Sequence, residues 1–168
     1  FEKAIDTAKK LHHEYLTIEH LLYAMLLEEP FGNVITGFGA NLDELKNDLT
    51  DYLHNKCQEI TITDVVVKPK KTQSVERVLN RAFTQVLFNG RQRIEPTDVF
   101  MSMIGEKRSW AHYYIQKAKI DKDKFNDFVN NSNSEESEEE SGTDNTQNNI
   151  IKYNNFEFTN NGADYWIL

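Results

Sequence analysis

The sequence contains an internal repeat, and this repeat limits the possible folds more than any other feature. Positions recur at a constant offset of 78 residues, so that Ala4 aligns with Ala82 and Leu16 with Ile94. The segment Thr17–Leu26 aligns in the same register with Glu95–Ile104, and apolar residues fall on apolar residues. Two copies with one apolar pattern are expected to bury equivalent faces.

The start of one helix is marked independently in both copies. Pro96 suits the first position of a helix, where its missing N–H costs nothing, which makes Glu95 the N-cap. Thr17 occupies the equivalent position and is a preferred capping residue. Glu19 and Asp98 follow in the first turns, where the helix dipole favours acids. The agreement predicts an equivalent helix in each copy.

The pattern predicts an all-α fold of two pseudo-twofold four-helix repeats. Gly37, Gly39 and Asn41 are expected to end and restart helices in the first copy, and Gly90 ends one in the second. The predicted helices span 1–13, 18–28, 31–38 and 42–55 in the first copy and 74–89, 96–104, 108–118 and 121–130 in the second.

The segment between the copies is rich in β-branched residues. Ile60–Val67 has strand-like composition and leads to Lys68-Pro69-Lys70-Lys71. Because an all-helical fold offers a lone strand nothing to pair with, the segment is predicted to be an extended linker. An alternative is that it adds to the sheet edge of a partner.

Composition changes abruptly after Asn131. Residues 132–168 contain eight acids and one lysine, a charge of −7, whereas residues 1–131 carry −1. Such a polar, acidic stretch is typical of a disordered tail. The predicted domain therefore spans 1–131, with repeats at about 1–56 and 72–131, and a tail at 132–168. A nearly neutral body argues against nucleic-acid binding, which needs a basic surface.

Several other classes of protein are disfavoured by the sequence. No run of 18 apolar residues is present, which excludes a membrane span, and the N-terminal residues lack a signal-peptide pattern. The single cysteine, Cys57, favours a reducing, cytoplasmic location. Gly37-Phe38-Gly39 lacks the Lys and Ser/Thr of a phosphate-binding loop, and no other catalytic motif occurs, so neither enzymatic activity nor a cofactor is expected.

The densest cluster of polar residues lies around the first helix boundary. It comprises His12, His13, Glu14, Glu19 and His20. His13-Glu14 begins like the HExxH zinc motif, but Thr17 stands where the second histidine would be. These residues are therefore predicted to be surface and capping residues of a helical hairpin. A zinc-dependent hydrolase around His12, His13 and His20 is the less favoured alternative.

Two pairs of arginines suggest sites for acidic groups. Arg77 and Arg81 are four residues apart and share one helix face, where both can reach a carboxylate. Arg91 and Arg93 form the second pair. Ion pairs within the chain, or solvated side chains, remain an equal alternative.

The two repeats resemble the N-terminal domain of the Clp family of AAA+ unfoldases, most closely the ClpA branch. The resemblance covers about 130 residues. It is carried by Phe1–Leu26, above all by Thr17-Ile18-Glu19-His20-Leu21-Leu22, and in the second copy by Thr72, Ser74-Val75, Arg77-Val78-Leu79, Arg81-Ala82, Gly90-Arg91 and Ile94–Met103.

The resemblance implies an eight-helix domain that recruits proteins to an ATPase ring. For the ClpA branch it implies docking of the adaptor ClpS, with protein substrates and the Clp ATPase ring as further partners. The matching adaptor-binding positions are Glu14, Glu19, Thr72, Arg77 and Arg81. A direct chaperone-like role, in which a hydrophobic groove between the repeats captures unfolded segments, is the alternative.

The chain departs from the family pattern in two respects. Thr97-Asp98 stands where other branches have Glu-His, which weakens an analogy with phosphoarginine-reading members. The ATPase modules are absent from the sequence, although Asn155-Phe156 and Thr159-Asn160 resemble the segment that precedes the first one. Two interpretations remain open: a piece of a longer protein, or a free-standing domain that acts as an adaptor decoy.

Overall fold

The computed structural model describes residues 1–139, 157–158 and 166–167, with side chains described to residue 134. Helices dominate the described part of the chain, as predicted. The elements are α1 Glu2–Lys10, β1 Tyr15–Leu16, α2 Ile18–Leu26, α3 Glu29–Phe38, α4 Leu42–Asn55, a 3₁₀ turn Gln58–Ile60, β2 Lys70–Lys71, α5 Gln73–Phe88, α6 Pro96–Ile104, α7 Trp110–Lys117, α8 Lys122–Glu139, β3 Glu157–Phe158 and β4 Trp166–Ile167.

Helices α2 and α6, which the repeat relates to each other, lie in contact at the centre of the fold. Helix α2 also packs on α1, α3, α4, α5 and α7, and α6 packs on α5, α7 and α8. Both are apolar on most sides, as buried helices must be. Phe100 of α6 is fully buried, with its ring centroid 5.3 Å from Phe31 of α3 and 4.9 Å from Phe125 of α8. The two copies therefore share one core.

Helix boundaries follow the capping residues identified in the sequence. Gly39 ends α3 with φ +101°, a left-handed conformation that glycine adopts without a side-chain clash. Asn41 caps α4 by accepting a hydrogen bond from the Glu44 N–H at 3.1 Å. Gly90, with φ +72°, follows α5. The first seven helices begin and end within three residues of their predicted bounds.

The segment between the copies is paired at its two ends, at Thr61 and at Lys70–Lys71, so the prediction that nothing in the fold pairs with it is wrong there; residues 62–67 form no strand. Strand β2 pairs in parallel with β1, with Lys70 opposite Tyr15 and Lys71 opposite Leu16. Thr61 additionally forms a bridge to His13. The partner is the short extended stretch between α1 and α2, whose backbone groups have no helical partners of their own. The linker is thus tied back onto the first copy.

The C-terminal part differs from its predicted description where it is described. Helix α8 continues to Glu139, beyond its predicted end at residue 130, because the glutamates after Ser134 are good helix formers. Strands β3 and β4 pair antiparallel within the predicted tail. Residues 140–156, 159–165 and 168 lie outside the described residues, and the disorder predicted for them stays a prediction. None of the described helices combines the length and hydropathy needed to cross a bilayer.

Candidate functional site

Four of the five predicted partner-binding residues lie next to one another in space, along β1, β2 and α5. These are Glu14, Thr72, Arg77 and Arg81. Glu14 directly precedes β1, and its Oε1 lies 3.5 Å from the Lys70 Nζ on β2. Thr72 connects β2 to α5: its N–H donates to the Leu16 carbonyl at 3.1 Å, and its hydroxyl accepts from the Val75 N–H at 3.3 Å. The strand pairing missed by the sequence prediction is thus what brings Glu14 close to the start of α5.

Arg77 and Arg81 continue from Thr72 along one face of α5. Both bind Glu106, which follows α6: Arg77 Nε donates to Oε1 at 3.0 Å and an Arg81 terminal nitrogen donates to Oε2 at 3.0 Å. Arg81 also donates to the Ser102 hydroxyl and carbonyl. The hydrogen bonds from Arg77, and to a lesser degree those from Arg81, hold the pKa of Glu106 below its usual value. The intramolecular pairing that remained open in the sequence is therefore present.

Pairing does not remove these side chains from solvent. Arg77 and Arg81 are 54% and 44% exposed, and Glu14 is 38% exposed. We call this region the β1–α5 surface and define it by Glu14, Lys70, Thr72, Ser74, Arg77, Arg81 and Glu106. It carries three basic and two acidic groups in fixed relative positions. A surface of this kind is suited to orienting a charged protein partner.

The fifth predicted residue, Glu19, lies elsewhere. It is 5% exposed, and its Oε1 accepts hydrogen bonds from the backbone N–H groups of Trp110 at 3.0 Å and Ala111 at 3.4 Å. Those N–H groups begin α7, where the helix dipole favours a carboxylate. Burial raises the pKa of Glu19, although the hydrogen bonds oppose the shift. Glu19 therefore joins the first copy to the second and is not part of the β1–α5 surface.

Two other residues of the polar cluster are buried rather than on the surface as predicted. His13 is 2% exposed and His20 is fully buried, with the His13 Nδ1 2.8 Å from the His20 Nε2. The Thr17 N–H donates to the His20 Nδ1 at 3.0 Å, so His20 must carry its proton on Nε2 and donate to His13. Both imidazoles are consequently neutral.

The environment of this pair keeps it neutral. Burial, and secondarily the neighbouring His13, lowers the pKa of His20 to about 3. Burial also lowers the pKa of His13, with a smaller contribution from His54. The cluster prediction is correct that His20 belongs to a helix cap, but it is wrong that this residue lies on the surface, because His20 is buried in the core. The signal in the sequence was the position of His20 in the capping box that Thr17 begins.

The geometry of the histidines bears on the zinc-hydrolase alternative. His12 turns away from the pair, with its Nδ1 3.1 Å from the Asp64 carbonyl oxygen, whereas His13 and His20 direct ring nitrogens at each other. Within the part of the chain that the structure describes, no group of three or more His, Cys, Asp or Glu side chains has a metal-binding arrangement. The three histidines of that alternative do not converge on a common point.

A groove of about 200 Å³ lies between the two copies. Leu21 of α2 and Val99 of α6 both line it, and these residues align at the 78-residue offset. The groove therefore lies near the pseudo-twofold axis that relates the repeats. Further apolar residues complete the walls, namely Phe1, Ala24, Met25, Phe31, Leu79, Ile94 and Pro96. A cavity of about 150 Å³ admits a benzene-sized ring, so the groove has room for a bulky side chain.

Taken together, these features define a double-repeat helical domain with an accessible charged surface and an apolar groove. Residues 1–69, the first repeat and the linker, match the family model described as the Clp repeat (R) N-terminal domain. A ClpA homolog protein of Fuscovulum blasticum is 28% identical over 114 residues, which are 68% of this chain and 14% of that protein. The first repeat and the linker are thus similar to the Clp N-terminal domain, and the resemblance predicted from the sequence is confirmed.

Solved structures confirm the fold over a longer part of the chain. The Hsp104 N-terminal domain from Candida albicans matches with a TM-score of 0.65 at 11% identity, covering 76% of this chain and 81% of that one. A structure from a study of a malarial protein secretion system matches with a TM-score of 0.66 at 10% identity, covering 78% and 87%. At such low identity the likeness shows the shared fold alone, and it spans both repeats.

Proposed function

We propose that this domain docks a ClpS-like adaptor, and the protein substrates it carries, for a cytoplasmic Clp ATPase ring. The observation that supports the proposal most directly is the β1–α5 surface. It places Glu14, Thr72, Arg77 and Arg81, four of the five positions implied by the family resemblance, on consecutive elements with their charges accessible. The module binds and positions proteins; the work of unfolding belongs to the ATPase.

Charge arrangement supports the same role. Arg77 and Arg81 present guanidinium groups that already bind one carboxylate, Glu106, and this contact supports the proposal of an acidic ligand. An adaptor carboxylate can add to or replace this contact. The side chains are about half exposed, so their contribution is expected to lie mainly in orientation and in the rate of encounter. Glu19 acts indirectly, by holding α7 against α2.

The test is a calorimetric titration of ClpS into the full chain and two charge variants. Glu14→Lys/Arg77→Glu/Arg81→Glu reverses the β1–α5 surface. Asp43→Lys/Lys122→Glu/Lys124→Glu makes the same three charge changes at exposed positions of α4 and α8. We expect the first variant to weaken binding by about tenfold or more and the second by less than about twofold. Equal affinity of the first variant and the unmodified chain would show that the adaptor binds elsewhere.

A second function is supported by a different observation, the groove between the repeats. Its apolar walls and its volume of about 200 Å³ suit the side chains of unfolded segments, which corresponds to the chaperone-like alternative. An increase in the fluorescence of a hydrophobic dye on adding the chain, together with slower aggregation of a model protein, would support this role. A dye signal equal to that of a protein without such a groove would count against it.

A further inference from the structure

The groove between the repeats has charged residues at its rim as well as apolar walls. Three carboxylates, those of Glu2, Glu28 and Glu95, and two amino groups, those of the Lys3 side chain and the Phe1 N-terminus, belong to residues that line it. Burial lowers the pKa of the Phe1 amino group to about 6, so this group is mostly uncharged near pH 7. Lys3 forms an ion pair with Glu28. The remaining two acids come from different copies, Glu2 from α1 and Glu95 from the N-cap of α6. The rim is therefore negatively charged on balance.

The β1–α5 surface has the opposite balance. There the bases Lys70, Arg77 and Arg81 outnumber the acids Glu14 and Glu106. The two surfaces thus favour ligands of opposite charge. A segment that carries basic residues is attracted to the groove and repelled from the other surface, because like charges brought together in an interface cost free energy.

We propose that the groove binds unfolded polypeptide segments in which a bulky apolar side chain is flanked by lysine or arginine. This inference rests on the second proposed function and specifies its substrate class. The apolar side chain enters between Leu21 and Val99, whereas the flanking cations lie at the rim beside Glu2 and Glu95. Attraction near an apolar surface is stronger than in open water, because the local dielectric constant is lower. Segments with acidic flanks are rejected at the same rim.

The experiment compares labelled peptides by fluorescence anisotropy with the full chain. One peptide has a central Phe-Leu pair between lysines, the second has the same pair between glutamates, and the third has serines in place of the pair between lysines. We expect the first to bind about fivefold or more tightly than the second at low salt. The ratio should shrink as salt is added, since the charges lie at an exposed rim. The third peptide should bind weakest.

Two variants locate the preference. Glu2→Gln/Glu95→Gln should remove the discrimination between lysine and glutamate flanks, whereas the matched control Glu59→Gln/Asp123→Asn, at exposed positions outside the groove, should keep it. Met25→Lys places a cation in the half-buried wall and should reverse the preference. Circular dichroism checks that each variant is folded.

The outcomes separate the two proposals. Equal binding of the first two peptides, both tighter than the serine peptide, would overturn the basic-flank preference and leave the apolar groove function standing. Equal binding of all lysine-flanked peptides, with or without the Phe-Leu pair, would overturn both, because charge alone would then account for the interaction. Retained discrimination in Glu2→Gln/Glu95→Gln would also overturn the assignment to this rim.

Discussion

The two copies of the helical unit begin their central helix in the same way but with different chemistry. In each, the third residue of the helix returns a side chain to the N-cap N–H: His20 to Thr17 at 3.0 Å, and Asp98 to Glu95 at 2.8 Å. His20 is a neutral group in the core, whereas Asp98 is a partly exposed charge that also binds Arg91. The shared requirement is an acceptor that can satisfy one N–H at the helix start.

This difference shows which property the repeat retains. Either side chain can start the helix, so the backbone is equivalent in both copies. The surroundings decide the rest: the first copy is covered by β1, β2 and the linker, and it buries a neutral pair there. In the second copy Asp98 and Arg91 are partly exposed, and a charged pair in contact with solvent suffices. The interior polar group is therefore expected to matter more for stability than the exposed one.

The largest expected effect is that of His20→Ala. The substitution removes the acceptor for the Thr17 N–H, leaves the buried His13 Nδ1 without its donor and creates a cavity. Together these should reduce the free energy of unfolding by about 3–4 kcal/mol. Urea unfolding of the variant and of the unmodified chain measures this change in the free energy of unfolding. His20→Gln is the matched control, since Gln at this position completes a capping box, and it should recover part of the loss. An effect below about 1 kcal/mol would show that the pair is not a structural element.

The second largest expected effect is the change in the free energy of unfolding when the pH is lowered. The pKa of His20 is about 3 in the folded chain and near 6.5 when unfolded. Between these values the unfolded chain binds more protons, so the stability contributed by neutral His20 is complete above pH 6.5 and is lost as the pH falls. At pH 4.5 the loss should be about 2.7 kcal/mol.

Comparison with His20→Gln isolates this contribution. Glu19, whose pKa is raised by burial, changes stability in the opposite direction, and it cancels in the difference between the two chains. Unfolding curves at pH 7 and pH 4.5 should therefore diverge more for the unmodified chain than for the variant. Parallel curves would contradict the assignment of a neutral, buried His20.

The smallest effect is expected at the equivalent position of the second copy. Asp98→Ala removes the hydrogen bond from the Glu95 N–H, which is half of the capping box of α6, and the ion pair with Arg91, both of which are partly exposed. It should cost about 1 kcal/mol and depend on salt, because exposed ion pairs contribute little and are screened. Urea unfolding of Asp98→Ala and His20→Ala under identical conditions compares the two losses directly. A loss as large as that of His20→Ala would mean that the two copies rely on their caps equally.

The helices could be predicted from the sequence because their signals are local. Pro96, Asn41 and Gly39 each fix a helix boundary through their own backbone or side-chain chemistry, and the apolar period shows the buried face. The repeat reinforced each copy with the other. The pairing of β1 with β2 had no such signal, since strands of two residues are too short to show a period of two.

The residues of the candidate site were chosen from the family resemblance, and their role in partner binding stays a prediction; their arrangement had no signal in the sequence. The resemblance picked out Glu14, Thr72, Arg77 and Arg81, and the structure places them along one series of elements. The partners of the arginines could not be deduced, because Glu106 lies 29 residues from Arg77 in the chain. Glu19 was misplaced for a similar reason: its partners are backbone N–H groups 91 and 92 residues away, and backbone groups leave no mark in the sequence.

The contact between Glu19 and the start of α7 has an evolutionary consequence. A protein consisting of the first copy alone would leave Glu19 without those two donors and would expose the face of α2 that packs on α7. A second copy of the unit supplies both the donors and the cover. Tandem duplication of the gene places that second copy on the same chain, where its effective concentration no longer depends on expression level. Once fused, the halves are free to diverge at exposed positions but remain bound to each other's buried ones.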